Sequence, residues 1–228
     1  MILEVYSVVF WVFAIVSTYL QDKAVTGEKK LMSMTTLVKL IPALSAVVFV
    51  ILLRIPTPFT ILLAAALVFC MFGDVGMEAD LVPGIGMFLI AHILYTTNFL
   101  WTSATTGLLM VPSLLSGGCV ILGVIYVIWL IRYLRSSGPE IPPFILRAGS
   151  LYFILVAATI GTSVLLWQTS SIGLGLLPVI GALFFILSDS LIGINAFHHD
   201  ITHHELYIML TYYLAIFLLS LGAFVFPF

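Results

Sequence analysis

The chain has 228 residues, of which 62% are hydrophobic and only 8% charged, and its formal net charge is −2. A soluble domain of this length carries about 25% charged residues, so a mean hydropathy of +1.26 excludes a surface that faces water all round. So neutral a balance also gives a polyanion nothing to hold, and no nucleic-acid partner is expected.

In lipid every backbone polar group must be satisfied internally, which leaves helices or a closed barrel. The apolar runs are long and unbroken rather than short and alternating, so helices are predicted. Eight segments follow in order, near 2–20, 33–53, 59–78, 84–101, 108–134, 142–168, 172–197 and 205–226. The first has no basic flank, carries Glu4 and ends in Thr-Tyr-Leu, so it reads as a helix and not a cleaved leader. The Arg54-Ile-Pro-Thr-Pro58 run stops the second, and Met77 to Pro83 separates the third from the fourth. Thr102 to Gly107 ends the fourth, and Pro112 with Gly117-Gly118 predicts a kink or a late start in the fifth. Ser136-Ser-Gly-Pro139, Gln168 to Ser171 and the histidine-rich His198 to Glu205 mark the remaining breaks. The expected architecture is an all-α polytopic membrane protein, one eight-helix bundle and a single domain over 1–228. Cys70 and Cys119 both fall in apolar stretches and suggest no disulfide. Trp11, Trp101, Trp129 and Trp167 read as an interfacial belt.

With eight spans, alternate loops share a side. Lys23, Lys29, Lys30, Arg132 and Arg135 fall on one side with Arg147 just inside it, against Arg54 alone on the other. The bias predicts the first group in the cytoplasm and both termini outside. The host membrane would be a bacterial inner membrane or an intracellular one.

Ionisable residues inside a span cost several kcal/mol, so each needs a reason. Counted from the predicted cytoplasmic ends, Lys39, Asp74, His92, Asp189, Tyr212 and Tyr213 lie one to two turns deep. At ~1.5 Å per residue they occupy one slab, roughly 7–14 Å below the interface. His92 and Tyr95 share a face of the fourth helix, and Asp189 lies between Ser188 and Ser190, with Asn195 two turns beyond Ser188. Simpler roles exist for each: Asp74 as a solvated helix end ahead of Glu78 and Asp80, Lys39 as a snorkelling amine, Asp189 and His92 as ties between helices. An aromatic and a small residue precede each aspartate identically (Phe69 and Gly73, Phe184 and Ser188), as a parallel four-plus-four repeat would produce. In the histidine run, His199 and His203 have a spacing that can share zinc on one helix face, but a loop at the water boundary is where polar residues belong, and no metal is expected.

Four motifs then carry a resemblance: Phe72-Gly-Asp74, Gly86-Met-Phe-Leu-Ile-Ala-His92-Ile-Leu-Tyr95, Gly181-Ala-Leu-Phe-Phe-Ile-Leu-Ser-Asp-Ser190 and Thr211-Tyr-Tyr-Leu-Ala215. In this order and spacing they resemble the YhhN-type lysoplasmalogenase family. Two positions depart from it, since Lys39 is followed by Leu-Ile before Pro42 instead of directly by proline, and Ile216 stands where the family tends to glutamine. The resemblance implies an ether hydrolase of lipid metabolism, needing no cofactor, that opens the vinyl ether of a lysophospholipid to a fatty aldehyde and a glycerophospho-alcohol. Such a reaction needs a proton for carbon, tolerance of an oxocarbenium-like cation and capture by water, and glycosidases manage an analogous cation with two carboxyl groups. Asp74 and Asp189 are the expected acid and base, with the order of roles open. His92, Tyr95, Ser188, Asn195, Tyr212 and Tyr213 would position substrate or water, while Lys39 and Arg147 would attract the phosphate. Besides the substrate, only membrane lipids are expected as partners. The competing classes are a zinc-dependent membrane amidase or ester hydrolase resembling alkaline ceramidases, and a small transporter that uses the aspartates and His92 as a proton relay.

Overall fold

The computed structural model describes residues 1–25, 32–53, 56–137, 140–170 and 172–226, and all regular structure among them is helical. Among the described residues eight helices are long and apolar enough to cross a membrane. They are α1 (Ile2–Val25), α2 (Met32–Leu53), α3 (Pro58–Ala79), α4 (Leu81–Thr106), α5 (Met110–Ser137), α6 (Pro143–Ser170), α7 (Leu176–Phe197) and α8 (His204–Ser220). A 3₁₀ turn at Gly173–Gly175 leads into α7, and a four-residue helix α9 (Gly222–Val225) follows α8. Large apolar side chains such as Val8, Val12, Leu52, Ile121 and Leu122 cover the outer surface. That outward apolar skin is what a bilayer solvates, so the chain is an integral multi-pass membrane protein.

Several boundaries differ from the expected ones for local reasons. The α3–α4 break shrinks to Asp80, whose backbone N–H closes α3 on Gly76 while its carboxylate accepts from the Val82 N–H and opens α4. Pro83 then falls in the first turn of α4, where its missing N–H has no helical partner to lose. The hairpin is tight because Gly76 and Gly84 touch through their backbones, and a Cβ on Gly76 would sit 2.8 Å from the Gly84 nitrogen. Pro112 likewise enters the first turn of α5, which runs unbroken through Gly117 and Gly118. At its start α3 has a capping box, with Thr57 and Thr60 each accepting the other's backbone N–H. Trp11 lies midway along α1, packed on Phe217, and so stands apart from any interfacial belt. Lys29, Lys30 and Arg54, on which much of the charge bias rests, lie outside the described residues.

Sequential helices pair except α4 with α5, and longer-range contacts close a ring in the order α1, α2, α3, α4, α6, α7, α8 and back to α1. Helix α5 stands outside this ring, packed on α6 and lightly on α7. The two halves therefore pack differently, since α6 meets α4 directly whereas α1 meets α8. Small residues set the closest approaches: a Cβ on Gly181 of α7 would lie 3.0 Å from the Ala215 carbonyl of α8. Toward the end where α8 finishes, polar groups are spent on holding helices together. Tyr6 bonds Ser220 (2.6 Å), and Asn98 donates to the Phe59 carbonyl (2.9 Å). The opposite end, where α1, α3 and α7 finish and α2, α4 and α8 begin, is more open.

Candidate active site

At this open end α3 and α7 each carry one buried aspartate. Asp74 ends the Phe-Gly-Asp run of α3, and the glycine before it has a clear purpose. A Cβ on Gly73 would meet the Phe88 ring at 2.8 Å, so a glycine lets α4 lay that ring directly on α3. Asp74 accepts a hydrogen bond from the Tyr212 hydroxyl of α8 at 2.9 Å. Asp189 on α7 accepts one from the Tyr152 hydroxyl of α6 at 2.7 Å. Each carboxyl is thus 3% and 8% exposed respectively and held by one tyrosine. Among the described residues neither aspartate forms a salt bridge.

Both aspartates open onto one chamber of about 380 Å³. Its deep wall is Asp74, Ser188, Asp189 and Tyr212, and its outer part is Gln21, Lys39, Glu78, Asn195, His204 and Glu205. Lys39 is paired there. Its ammonium donates to Glu78 at 3.1 Å, and Gln21 donates to the same carboxylate oxygen at 3.2 Å. Asn195 accepts the Ile201 N–H (2.9 Å) and so pins the α7–α8 connection over the chamber, while Ser188 donates to the Ile208 carbonyl (3.0 Å) and ties α7 to α8.

Six of the ten residues expected in the site therefore line the chamber: Lys39, Asp74, Ser188, Asp189, Asn195 and Tyr212. The other four are placed elsewhere. His92 is fully buried behind Asp189, with Nδ1 3.0 Å from the Thr159 hydroxyl and its ring edge-on to Tyr152 and Phe185. Its Nε2 has no partner among the described residues. Tyr95 points away to Cys70 (3.8 Å), Tyr213 donates to Ser17 on α1 (2.8 Å), and Arg147 is exposed on the outside of α6. His92 thus lies one residue back from the chamber, against Tyr152, which bonds Asp189, and against Phe185, which packs on Phe88 and Tyr212.

Depth counting missed two residues. Tyr152 lies about two and a half turns into α6, at the depth of the other polar groups, and that depth was available to find it. Glu78 reads as a solvated helix end, yet it holds Lys39. The histidines separate into three places: His198 stacks on Tyr133 with its Nδ1 2.7 Å from that of His199, His203 pairs with Asp22 (3.0 Å), and His204 lines the chamber beside Glu205 (3.6 Å). Among the described residues no three His, Cys, Asp or Glu side chains gather as a metal site would.

The fold and site define a polytopic helical membrane protein with two buried carboxyl side chains lining one chamber of about 380 Å³. The YhhN family pattern matches residues 34–223, and the chain belongs to that family. It is 30% identical to the protein named lysoplasmalogenase TMEM86B of Homo sapiens over 198 residues, 86% of this chain and 78% of the human one. It is 32% identical to lysoplasmalogenase TMEM86B of Sus scrofa over 189 residues, 82% and 74% of the two chains. No solved structure matches the chain.

Proposed function

We propose that the protein is a lysoplasmalogenase-type hydrolase that cleaves the vinyl ether of an alkenyl lysophospholipid with Asp74 and Asp189. The observation that carries the reading is the pair of buried carboxyls, each held by one tyrosine and both facing one chamber. One carboxyl gives its proton to the chain-side carbon of the double bond, and the positive charge passes to the carbon bonded to oxygen as an oxocarbenium ion. The other carboxylate takes a proton from a water as that water attacks the cationic carbon. The resulting hemiacetal collapses to a fatty aldehyde and a glycerophospho-alcohol, with one water consumed. A carboxylate near the cation also stabilises it electrostatically, as in glycoside hydrolysis.

Tyr212 and Tyr152 fix the orientation of the two carboxyls, and His92 acts behind Tyr152 as a positioning residue. The outer chamber combines Lys39 with Glu78 and Glu205, and these charges complement a zwitterionic headgroup, phosphate toward Lys39 and amine toward a carboxylate. Arg147, outside α6, serves the surrounding lipid phosphates. The chamber opens on the cytoplasmic side if the charge bias sets the orientation.

Purified protein in detergent, with no gradient across it, tests the reading. Release of fatty aldehyde from an alkenyl lysophospholipid is expected, with the acyl lysophospholipid of equal length left intact. Absence of aldehyde under conditions where the protein stays folded would refute it.

A further inference from the structure

The chamber has a neighbour of opposite character. A narrow groove of about 80 Å³ runs between α4, α5, α6 and α7 from Asp189 to Ile141 and Phe197 at the edge of the bundle. The two cavities share Met77, Phe88, Asp189 and Ile192, so they are neighbours with Asp189 bordering both, whereas Asp74 borders the chamber alone. The groove wall is almost wholly aliphatic and aromatic. Its polar side chains besides Asp189 are already engaged: Ser150 donates to the Leu146 carbonyl of its own helix (2.6 Å), and Tyr152 donates to Asp189. A polar ligand finds nothing to bond there. A few methylenes of an alkyl chain find apolar wall on every side.

Resting on the proposed reaction, we infer that this groove holds the first methylenes of the substrate's single hydrocarbon chain, and that Gly149 and Gly193 on its wall set how much chain it accepts. The occupant follows from the groove's place beside the chamber, with Asp189 in the wall of both. A single-chain lipid whose headgroup occupies the polar side carries its first chain carbons past Asp189, and the groove begins there. Its narrowness suits one chain. The placement also assigns the carboxyl roles. The carbon to be protonated is the one on the chain side of the double bond, so Asp189 delivers the proton and Asp74, on the headgroup side, receives one from water. Gly149 and Gly193 keep the groove open because neither has a side chain. A Cβ at Gly149 meets nothing within 4 Å, and one at Gly193 meets only Leu134 at an ordinary 3.4 Å. Larger side chains there therefore fill the groove without displacing backbone.

The test uses saturated ether lysophospholipids, which lack the vinyl group and are not cleaved by this chemistry, bound to full-length protein in lipid nanodiscs. Wild-type protein is expected to bind them more tightly with each added methylene until the groove is full, by well under the roughly fourfold of transfer from water because the competing bilayer is itself apolar. In Gly149→Leu and Gly193→Leu that gain is expected to stop one or two methylenes earlier, leaving short-chain affinity unchanged and long-chain affinity lower. Gly149→Ala, with space for its methyl, is expected to fall between and serves as the folded control by thermal unfolding. Equal losses at every chain length, or none at any, would overturn the assignment. Because the readout is binding, the two readings fail separately. Intact chain-length dependence without aldehyde release would remove the hydrolase and keep the groove. Aldehyde release that ignores both glycine variants would do the reverse.

Discussion

Replacing each aspartate by asparagine separates chemistry from structure. Asparagine has nearly the same shape, and its side-chain oxygen still accepts the tyrosine hydroxyl that now reaches Asp189 at 2.7 Å or Asp74 at 2.9 Å. The hydrogen bond is therefore kept, and what disappears is the titratable proton and the charge. No cation is stranded, because Lys39 has Glu78 as its own partner at 3.1 Å. Stability in detergent should consequently change by no more than about 1 kcal/mol, or rise where a buried charge was costly. Turnover should fall roughly 10²–10⁴-fold in Asp189→Asn and in Asp74→Asn, the range for losing a general acid or base. The double variant should be little worse than the poorer single one, because the two groups act as a unit. Aldehyde release under saturating substrate, read beside thermal unfolding of the same preparations, decides it. Near-normal turnover combined with a large loss of stability would refute the reasoning and make the aspartates ties between helices.

Tyr152→Phe keeps the ring against His92 and removes the only hydrogen bond that Asp189 accepts among the described residues. A loss of about 1–3 kcal/mol of stability is expected, with turnover lowered more than KM is raised, and an unchanged rate would show that Asp189 needs no orienting partner. Lys39→Met leaves Glu78 without its cation, which should cost up to about 3 kcal/mol, less than a fully buried pair because Glu78 is partly exposed. Adding Glu78→Gln should restore most of that stability but leave the KM high, and a normal KM in the double variant would exclude Lys39 from phosphate binding. A reporter fused after residue 228 is expected outside the cytoplasm, and a cytoplasmic signal would overturn the orientation inferred from the basic residues.

The helices were legible because membrane spans have a simple requirement: length and unbroken apolarity are written along the chain, and all eight appear where expected. The errors fell at the ends, where local chemistry decides. Met77 to Pro83 looked like a loop because it is polar and holds a proline. In fact a single residue, Asp80, caps both flanking helices, and a proline costs nothing in a first turn. Of the kink or late start expected in α5, the helix has the late start: it begins at Met110, which puts Pro112 in its first turn. Trp11 was misplaced because tryptophan is common at interfaces, yet an aromatic cluster with Phe10 and Phe217 accommodates it at the middle of α1.

The site was legible in depth but not in direction around each helix. Counting residues gives a position along the membrane normal, and by that measure Lys39, Asp74, Asp189 and Tyr212 shared a level, and they share a chamber. Tyr95 and Tyr213 satisfied the same count and face Cys70 and Ser17 instead. Tyr152 satisfied it too, and was passed over because nothing in α6 alone says that it looks toward α7. What settles direction is which helices are neighbours. With α5 outside the ring, α6 packs against both α4 and α7, so one face of α6 presents Thr159 to His92 and Tyr152 to Asp189. Had α5 filled that place in the ring, Tyr152 would have had no route to the aspartate. The peripheral position of α5, on which no candidate site residue lies, is thus what completes the carboxyl pair and opens the apolar groove beside it.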